Sequence, residues 1–121
     1  MKKSPSPFDE LINKMKSMFA ERKWIPYHTP KNLAMKLSVE VGELTEHFCW
    51  LTEHESFVKD PKHLSEIRDE IGDVFILLTH LSEQLGIDPL QAALDKLDKV
   101  AVKYPVEKCQ KEPLTRKWRQ E

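Results

Sequence analysis

The sequence is poor in the residues that mark sheets, disulfide frameworks and membrane spans. It holds three glycines in 121 residues, and its two cysteines, Cys49 and Cys109, lie outside any Cys-x-x-Cys spacing. This usage favours the reduced thiols of a cytoplasmic protein. Nineteen basic residues against twenty acidic ones give a net charge of −1, so nothing indicates a nucleic-acid or membrane partner. No apolar run approaches the roughly 18 residues that cross a bilayer.

The length and charge pattern predict one domain. A chain of 121 residues has room for one hydrophobic core of ordinary size. We expect a core over about residues 7–106, because the periodic apolar pattern stops there. Residues 107–121 are charged and aperiodic and are predicted to be a mobile tail.

Four dipeptides of a capping residue followed by proline divide the chain into helices. Such a pair is typical of a helix start, and helical apolar spacing follows each one. The second stripe runs from Leu33 to Leu51 and the third is stopped by Gly86. The pattern predicts an all-α, four-helix bundle-like fold whose modest core favours a homo-oligomer. The predicted starts are Ser6-Pro7, Thr29-Pro30, Asp60-Pro61 and Asp88-Pro89.

Two pairs of acids border the apolar stripes of the second and third helices. Glu40 and Glu43 are three residues apart, as are Glu70 and Asp73, so each pair lies on one helix face. Four converging carboxylates repel one another beside apolar side chains, and a divalent cation removes that repulsion. Oxygen ligands select hard ions, which predicts Mg²⁺, with Mn²⁺ as the second candidate.

Two other interpretations of the acids remain open at this point. Pairs of this spacing are common on solvated helix faces, where they bind nothing. A ferritin-like di-iron site is the competing metal centre, but it needs Glu-x-x-His, and none of the four acids has a histidine three residues on.

Aromatic and basic residues suited to a nucleotide accompany the acids. Aromatic faces stack on bases, and lysines neutralise phosphates, although each of these residues has an ordinary role in packing or at the surface. The aromatic candidates are Trp24, Tyr27, His28 and Trp50, and the basic ones are Lys36, Lys96 and Lys103.

These residues resemble the all-α nucleoside triphosphate pyrophosphohydrolases of the MazG type, and within them the short dCTP pyrophosphatase-like branch. The likeness spans roughly residues 8–106. It is carried by the segment Trp24–Leu33, by Glu40-Val-Gly-Glu43-Leu44 with Glu46, Phe48 and Trp50, by Asp69-Glu70-Ile-Gly-Asp73-Val74, by Lys96-Leu97 and by Lys103-Tyr104-Pro105-Val106.

The resemblance implies hydrolysis of a (d)NTP to the monophosphate and pyrophosphate, in a housecleaning role. It implies that Glu40, Glu43, Glu70 and Asp73 hold Mg²⁺, and that Glu40 or Glu43 orients or deprotonates the attacking water. The substrate-binding residues that we expect are Trp24, His28, Asn32, Lys36, Trp50, Lys96, Lys103 and Tyr104. The resemblance also implies a homodimer or homotetramer.

Two positions depart from the pattern of this branch. Leu77 stands where relatives of the dCTP type often carry tyrosine, and Val100 stands where they often carry asparagine. Loss of polar base contacts weakens discrimination, so we expect dCTP to lead with relaxed base choice. The alternatives are the same fold acting on dUTP or phosphoribosyl-ATP, and a non-catalytic helical interaction module.

Overall fold

The computed structural model describes residues 3–111, within which every regular element is a helix. The chain separates into two compact units at the junction of Ile87 and Asp88, and each unit is described by itself. The all-α prediction is confirmed. The elements are α1 (Pro7–Glu21), a short 3₁₀ helix (Ile25–Tyr27), α2 (Pro30–Glu46), α3 (Pro61–Gln84), α4 (Pro89–Lys103) and α5 (Val106–Lys111).

The four predicted helix starts are confirmed, and each has the same chemical cause. The residue before the proline accepts a hydrogen bond from a backbone N–H in the first turn, a group that has no partner inside the helix. Ser6 also shares a capping box with Asp9, whose carboxylate accepts from the Ser6 backbone N–H at 3.1 Å. Proline fits the first helical position because a backbone N–H there would have no acceptor inside the helix.

The prediction that the second helix continues to Leu51 is wrong, since α2 ends at Glu46. The next backbone bonds span three residues instead of four, which tightens and closes the helix. Thr52 then starts a separate turn: its Oγ1 accepts from the Glu55 N–H at 3.1 Å, and the Glu55 carboxylate accepts from the Thr52 N–H at 3.0 Å. Trp50 therefore lies in a turn, off the helix face that carries Glu40 and Glu43.

The end of α3 is the predicted one, and a fifth helix follows α4. Gly86 comes two residues after Gln84 with a φ of +66°, a left-handed conformation that glycine adopts without strain. Residues Val106–Lys111 form the short helix α5, which the aperiodic sequence did not predict. The predicted mobile tail is otherwise outside the described residues, and its mobility stays a prediction, as does the single domain.

The first unit has a small apolar core between α1, α2 and α3. Among residues 3–111 the buried apolar side chains are Met15, Leu33 and Ile67, one from each of these helices. The principal packing is α2 against α3, with α1 making a smaller contact with α3. No helix within the described part of the chain has both the length and the apolar character needed to cross a membrane.

Candidate metal and nucleotide site

Three carboxylates converge where α2 packs on α3. One carboxylate oxygen each of Glu40, Glu43 and Glu70 lies within 4.8 Å of the other two. Glu40 is buried, with 8% of its surface exposed, whereas Glu70 is half-buried and Glu43 is exposed. The cluster therefore reaches from the helix seam out to solvent.

The sequence positions these acids through the spacing of the buried apolar residues. Glu40 lies two turns after the core residue Leu33 on α2, and Glu70 lies one turn after the core residue Ile67 on α3. Residues seven or three apart share a helix face. The same faces that bury the core therefore bring the carboxylates together.

Glu40 and Glu43 interact through a hydrogen bond between their carboxyl groups and through their charges. Their pKa values are shifted in opposite directions. Burial opposes the ionisation of Glu40, but hydrogen bonds with Glu43 and Lys36 outweigh it and hold the Glu40 pKa below its usual value. The hydrogen bond and the charge of Glu40 raise the pKa of Glu43. Two adjacent carboxylates cannot ionise independently, so the pair retains a proton more readily than isolated glutamates.

Lys36 and Asp73 lie at the margin of this cluster. The Lys36 ammonium is 3.2 Å from Glu40 Oε1, and its pKa is raised by that hydrogen bond and by the charge of Glu40. Asp73 is not among the three converging carboxylates. Partial burial and the charge of Glu40 raise the Asp73 pKa. Its role as a fourth ligand stays a prediction.

The three carboxylates fit a hard divalent cation. Glu40 Oε2 and Glu70 Oε2 are buried and have no hydrogen-bond partner, although buried polar atoms are normally paired. Lys36 supplies one nearby positive charge against three carboxylates. A divalent ion would satisfy the two buried oxygens and offset the remaining charge, and an all-oxygen donor set is the one that Mg²⁺ and Mn²⁺ prefer.

An aromatic and imidazole cluster lies between α1, the 3₁₀ helix and α3. The ring of Phe19 meets the ring of His28 edge-on, with centroids 4.8 Å apart, and lies tilted against the ring of His80 at 4.9 Å. His28 Nδ1 and His80 Nε2 are hydrogen-bonded at 3.0 Å. Trp24, 46% exposed, closes the outer side against Phe19. The cluster brings together Trp24 and His28, two of the predicted nucleotide contacts.

The other predicted nucleotide contacts of the first unit lie outside this aromatic and imidazole cluster. Asn32 donates from Nδ2 to the Tyr27 carbonyl at 2.9 Å, which ties α2 to the 3₁₀ helix before it. The indole of Trp50 is 93% exposed in the turn after α2. Tyr27 is also exposed.

Three predicted substrate residues belong to the second unit. Lys96 and Lys103 lie on α4, and Tyr104 is the residue at which this helix ends. The Lys103 ammonium stands 5.4 Å from the centre of the Tyr104 ring, a cation–π contact. Their part in substrate binding stays a prediction.

Sequence reasoning missed His80 and the pairing of His47 with His63. His80 is 3% exposed and follows an apolar run, and a buried polar side chain in such a run needs a partner elsewhere in the fold. That signal was available, but the identity of the partner was not. His47 Nδ1 and His63 Nε2 are 3.2 Å apart, joining the end of α2 to the first turn of α3.

The described chain is therefore an all-α protein with a carboxylate cluster where two helices pack, a donor set that suits a divalent cation. The chain belongs to the MazG-like family, whose model matches residues 35–118.

Solved and curated relatives agree with this family. A crystal structure of a pyrophosphatase from Archaeoglobus fulgidus DSM 4304 superimposes with a TM-score of 0.79 and 36% identity, covering 87% of this chain and 98% of that one. The mouse dCTP pyrophosphatase 1 is 38% identical over 106 residues, or 85% of this chain. The human dCTP pyrophosphatase 1 is 37% identical over 105 residues. The chain spans 62% of the length of each of these two mammalian relatives.

Proposed function

We propose that the protein is a Mg²⁺-dependent nucleoside triphosphate pyrophosphohydrolase that converts a (d)NTP to the (d)NMP and pyrophosphate. The observation that carries this proposal is the convergence of Glu40, Glu43 and Glu70 with two buried, unpartnered carboxylate oxygens. Such a cluster suits a hard cation, and Mg²⁺ with few protein ligands takes up substrate phosphates. The pyrophosphatase relatives described above support the same reaction.

Glu40, Glu43 and Glu70 would hold the metal, with Asp73 as the predicted fourth ligand. The bound ion supplies charge stabilisation for the phosphates and favours ionisation of water. Glu40 or Glu43 orients the attacking water and accepts its proton. The water oxygen bonds to the α-phosphorus as the bond from that phosphorus to the α,β-bridging oxygen breaks, and pyrophosphate leaves with the bridging oxygen. None of these steps requires a covalent intermediate.

We propose dCTP as the leading substrate, with relaxed base choice. The dCTP pyrophosphatases of mouse and human support a cytosine deoxynucleotide. Leu77 is half-buried and Val100, in the second unit, is exposed, and neither side chain offers a hydrogen bond. A pocket with fewer polar groups rejects other bases less strongly. His28 and Trp24 are the proposed base contacts in the first unit.

Self-association with a second copy completes the proposal. Leu64, Ile71 and Leu78 recur every seven residues on α3, and all three are exposed. An apolar residue at every seventh position is typical of helices that pack against another helix. With three buried apolar side chains in the described chain, a homodimer or homotetramer would bury this stripe.

The experiment is hydrolysis of a panel of (d)NTPs in Mg²⁺, with products separated by chromatography. We expect the monophosphate and pyrophosphate, with dCTP turned over fastest and other deoxynucleotides following. Glu40→Gln should reduce kcat by at least about a hundredfold, since one metal ligand and proton acceptor is lost.

The matched control is Glu66→Gln, which removes an exposed carboxylate from α3, outside the three-carboxylate cluster. Its kcat should stay within about twofold of the wild type. Release of the nucleoside diphosphate and orthophosphate would mean cleavage between the β- and γ-phosphates and would contradict the proposed reaction. Equal turnover of ribonucleotides and deoxynucleotides would contradict the proposed preference.

A further inference from the structure

The hydrogen bond between His28 and His80 leaves one imidazole nitrogen without a partner. His80 Nε2 bonds to His28 Nδ1 at 3.0 Å, whereas His80 Nδ1 is buried and has no hydrogen-bond partner. A neutral imidazole carries one proton, so the position of that proton on His80 decides which atom donates in the pair.

The unpartnered nitrogen distinguishes the two arrangements. If His28 donated to His80 Nε2, the His80 proton would sit on Nδ1 and bury an N–H with no acceptor. If His80 donates from Nε2, only a lone pair is left unpartnered at Nδ1. Orphaned buried N–H groups are the rarer and costlier case. The second arrangement is therefore the favoured one.

We propose that His80 is a positioning residue that donates from Nε2 to His28 Nδ1, and so holds His28 as the tautomer with its proton on Nε2. His28 then offers a hydrogen-bond donor at its other ring nitrogen. The acceptor chemistry that matches this donor is a base carbonyl, a ring nitrogen or a phosphate oxygen of the nucleotide. This step rests on the proposed function, in which His28 is a nucleotide contact.

The surroundings keep His80 in the neutral form that this arrangement needs. Burial lowers the pKa of His80, and the facing His28 lowers it further, while Glu83 opposes the effect. Glu83 is itself paired with Lys16 at 3.1 Å. Phe19 packs against both imidazole rings and limits their rotation.

A cavity of about 390 Å³ adjoins the His28–His80 pair, and His80 forms part of its wall. Its lining combines apolar side chains with the Lys16–Glu83 ion pair and with His80 itself: Lys16, Ala20, Ile25, His80, Glu83 and Gln84. A change in the pairing of His80 therefore alters both a cavity wall and the face that His28 presents.

The first measurement is made on the wild-type chain of 121 residues and requires no activity. Long-range ¹H–¹⁵N correlation of the imidazole rings identifies which nitrogen of each histidine is protonated. We expect both His28 and His80 to carry the proton on Nε2. A proton on Nδ1 of His28 would overturn the proposal.

Two variants of matched size separate positioning from packing. The amide of His80→Gln retains a donor near the Nε2 position, whereas His80→Met has none. We expect His28 to keep its tautomer in His80→Gln and to become a mixture in His80→Met. Thr79→Val, at the neighbouring buried position, controls for general disturbance of α3 and should leave His28 unchanged. An unaltered His28 tautomer in a folded His80→Met would overturn the proposal.

The second measurement is calorimetric binding of an α,β-methylene analogue of dCTP in Mg²⁺. His80→Met should raise Kd by about three- to tenfold, the loss expected of one hydrogen bond, and His80→Gln should recover most of it. In hydrolysis the same variant should raise KM with kcat kept. Equal Kd values for Met, Gln and wild type would overturn the proposal.

These readouts separate the inference from the proposed function. A wild-type protein that binds the analogue and hydrolyses no nucleotide would contradict the pyrophosphohydrolase, while the expected tautomer and Kd ratios would still support the role of His80. Conversely, hydrolysis of dCTP with His28 protonated on Nδ1 would support the enzyme and contradict that role.

Discussion

Glu40 and Glu70 each hold a carboxylate oxygen in the helix seam without a hydrogen-bond partner, beside the third carboxylate of Glu43. Buried unpartnered acceptors and like charges both oppose folding. In sites that bind ions this loss of folding stability is offset when the ion binds to the folded protein. The same three residues should therefore destabilise the free protein and stabilise the metal-bound one.

Glu70→Gln should separate these two effects. The substitution removes one negative charge and adds an amide donor beside Glu40, so the metal-free Tm should rise by a few degrees, about 1 kcal/mol of added stability. Addition of Mg²⁺ should raise the Tm of the wild type and leave that of the variant nearly unchanged. Calorimetric scans with and without Mg²⁺ test this, with Glu66→Gln, an exposed acid of the same helix, as the control. A lower metal-free Tm in Glu70→Gln would argue against strain among the acids.

His80 makes stability depend on pH in a defined direction. Its pKa is lowered in the folded protein by burial, so between the folded value and about 6.5 the unfolded chain binds more protons than the native one. Stability should therefore fall as pH falls through about 6.5 and level off below the folded pKa. Urea unfolding at about pH 7.5 and about pH 5.5 should show a smaller loss for His80→Met than for the wild type. Identical losses would mean that other groups carry the dependence.

At the scale of secondary structure, local chemistry determines the helix boundaries. The four capping residues and their prolines could be identified from sequence because capping depends on neighbours within three residues. The end of α2 was mispredicted because the apolar spacing continues to Leu51, whereas the helical conformation of the backbone ends at Glu46. The available signal in the sequence was the Thr52–Glu55 pair, whose reciprocal hydrogen bonds form the turn that follows.

A pair of glycine substitutions tests this local control. Gly86→Ala places a side chain at a φ of +66° and should lower stability by about 1 kcal/mol. Gly72→Ala falls inside α3, where an added Cβ meets no atom within 4 Å, and should raise stability by roughly 0.5–1 kcal/mol. Urea midpoints with unchanged m-values check both signs. A stabilising Gly86→Ala would contradict the left-handed helix end.

At the scale of the whole molecule, the described chain leaves much apolar surface exposed. The sequence predicted the acid pairs because their helical spacing is a local property. It did not predict that three carboxylates converge while Asp73 stays outside, because this depends on how α2 and α3 pack. The His28–His80 pair joins residues 52 positions apart, a contact that no spacing rule reveals.

The exposed stripe of α3 gives the prediction at this scale. Leu78→Glu places a charge within the stripe and should shift the wild-type oligomer toward the monomer mass of 14.2 kDa. Light scattering coupled to gel filtration measures the mass, and Ser65→Glu, an exposed polar position on α3, should leave it unchanged. A wild type that runs as a monomer at all concentrations would contradict self-association.

The exposure of Trp50 has an optical consequence. The indole of Trp50, with 93% of its surface in water, should emit at long wavelength. The indole of Trp24 packs against Phe19 and is 46% exposed, so its emission should lie at shorter wavelength. Anything that covers Trp50, a nucleotide base or a second copy of the chain, should shift its emission to the blue. Subtraction of the spectrum of Trp50→Phe isolates that signal, so the protein carries a built-in fluorescent reporter that needs no added label.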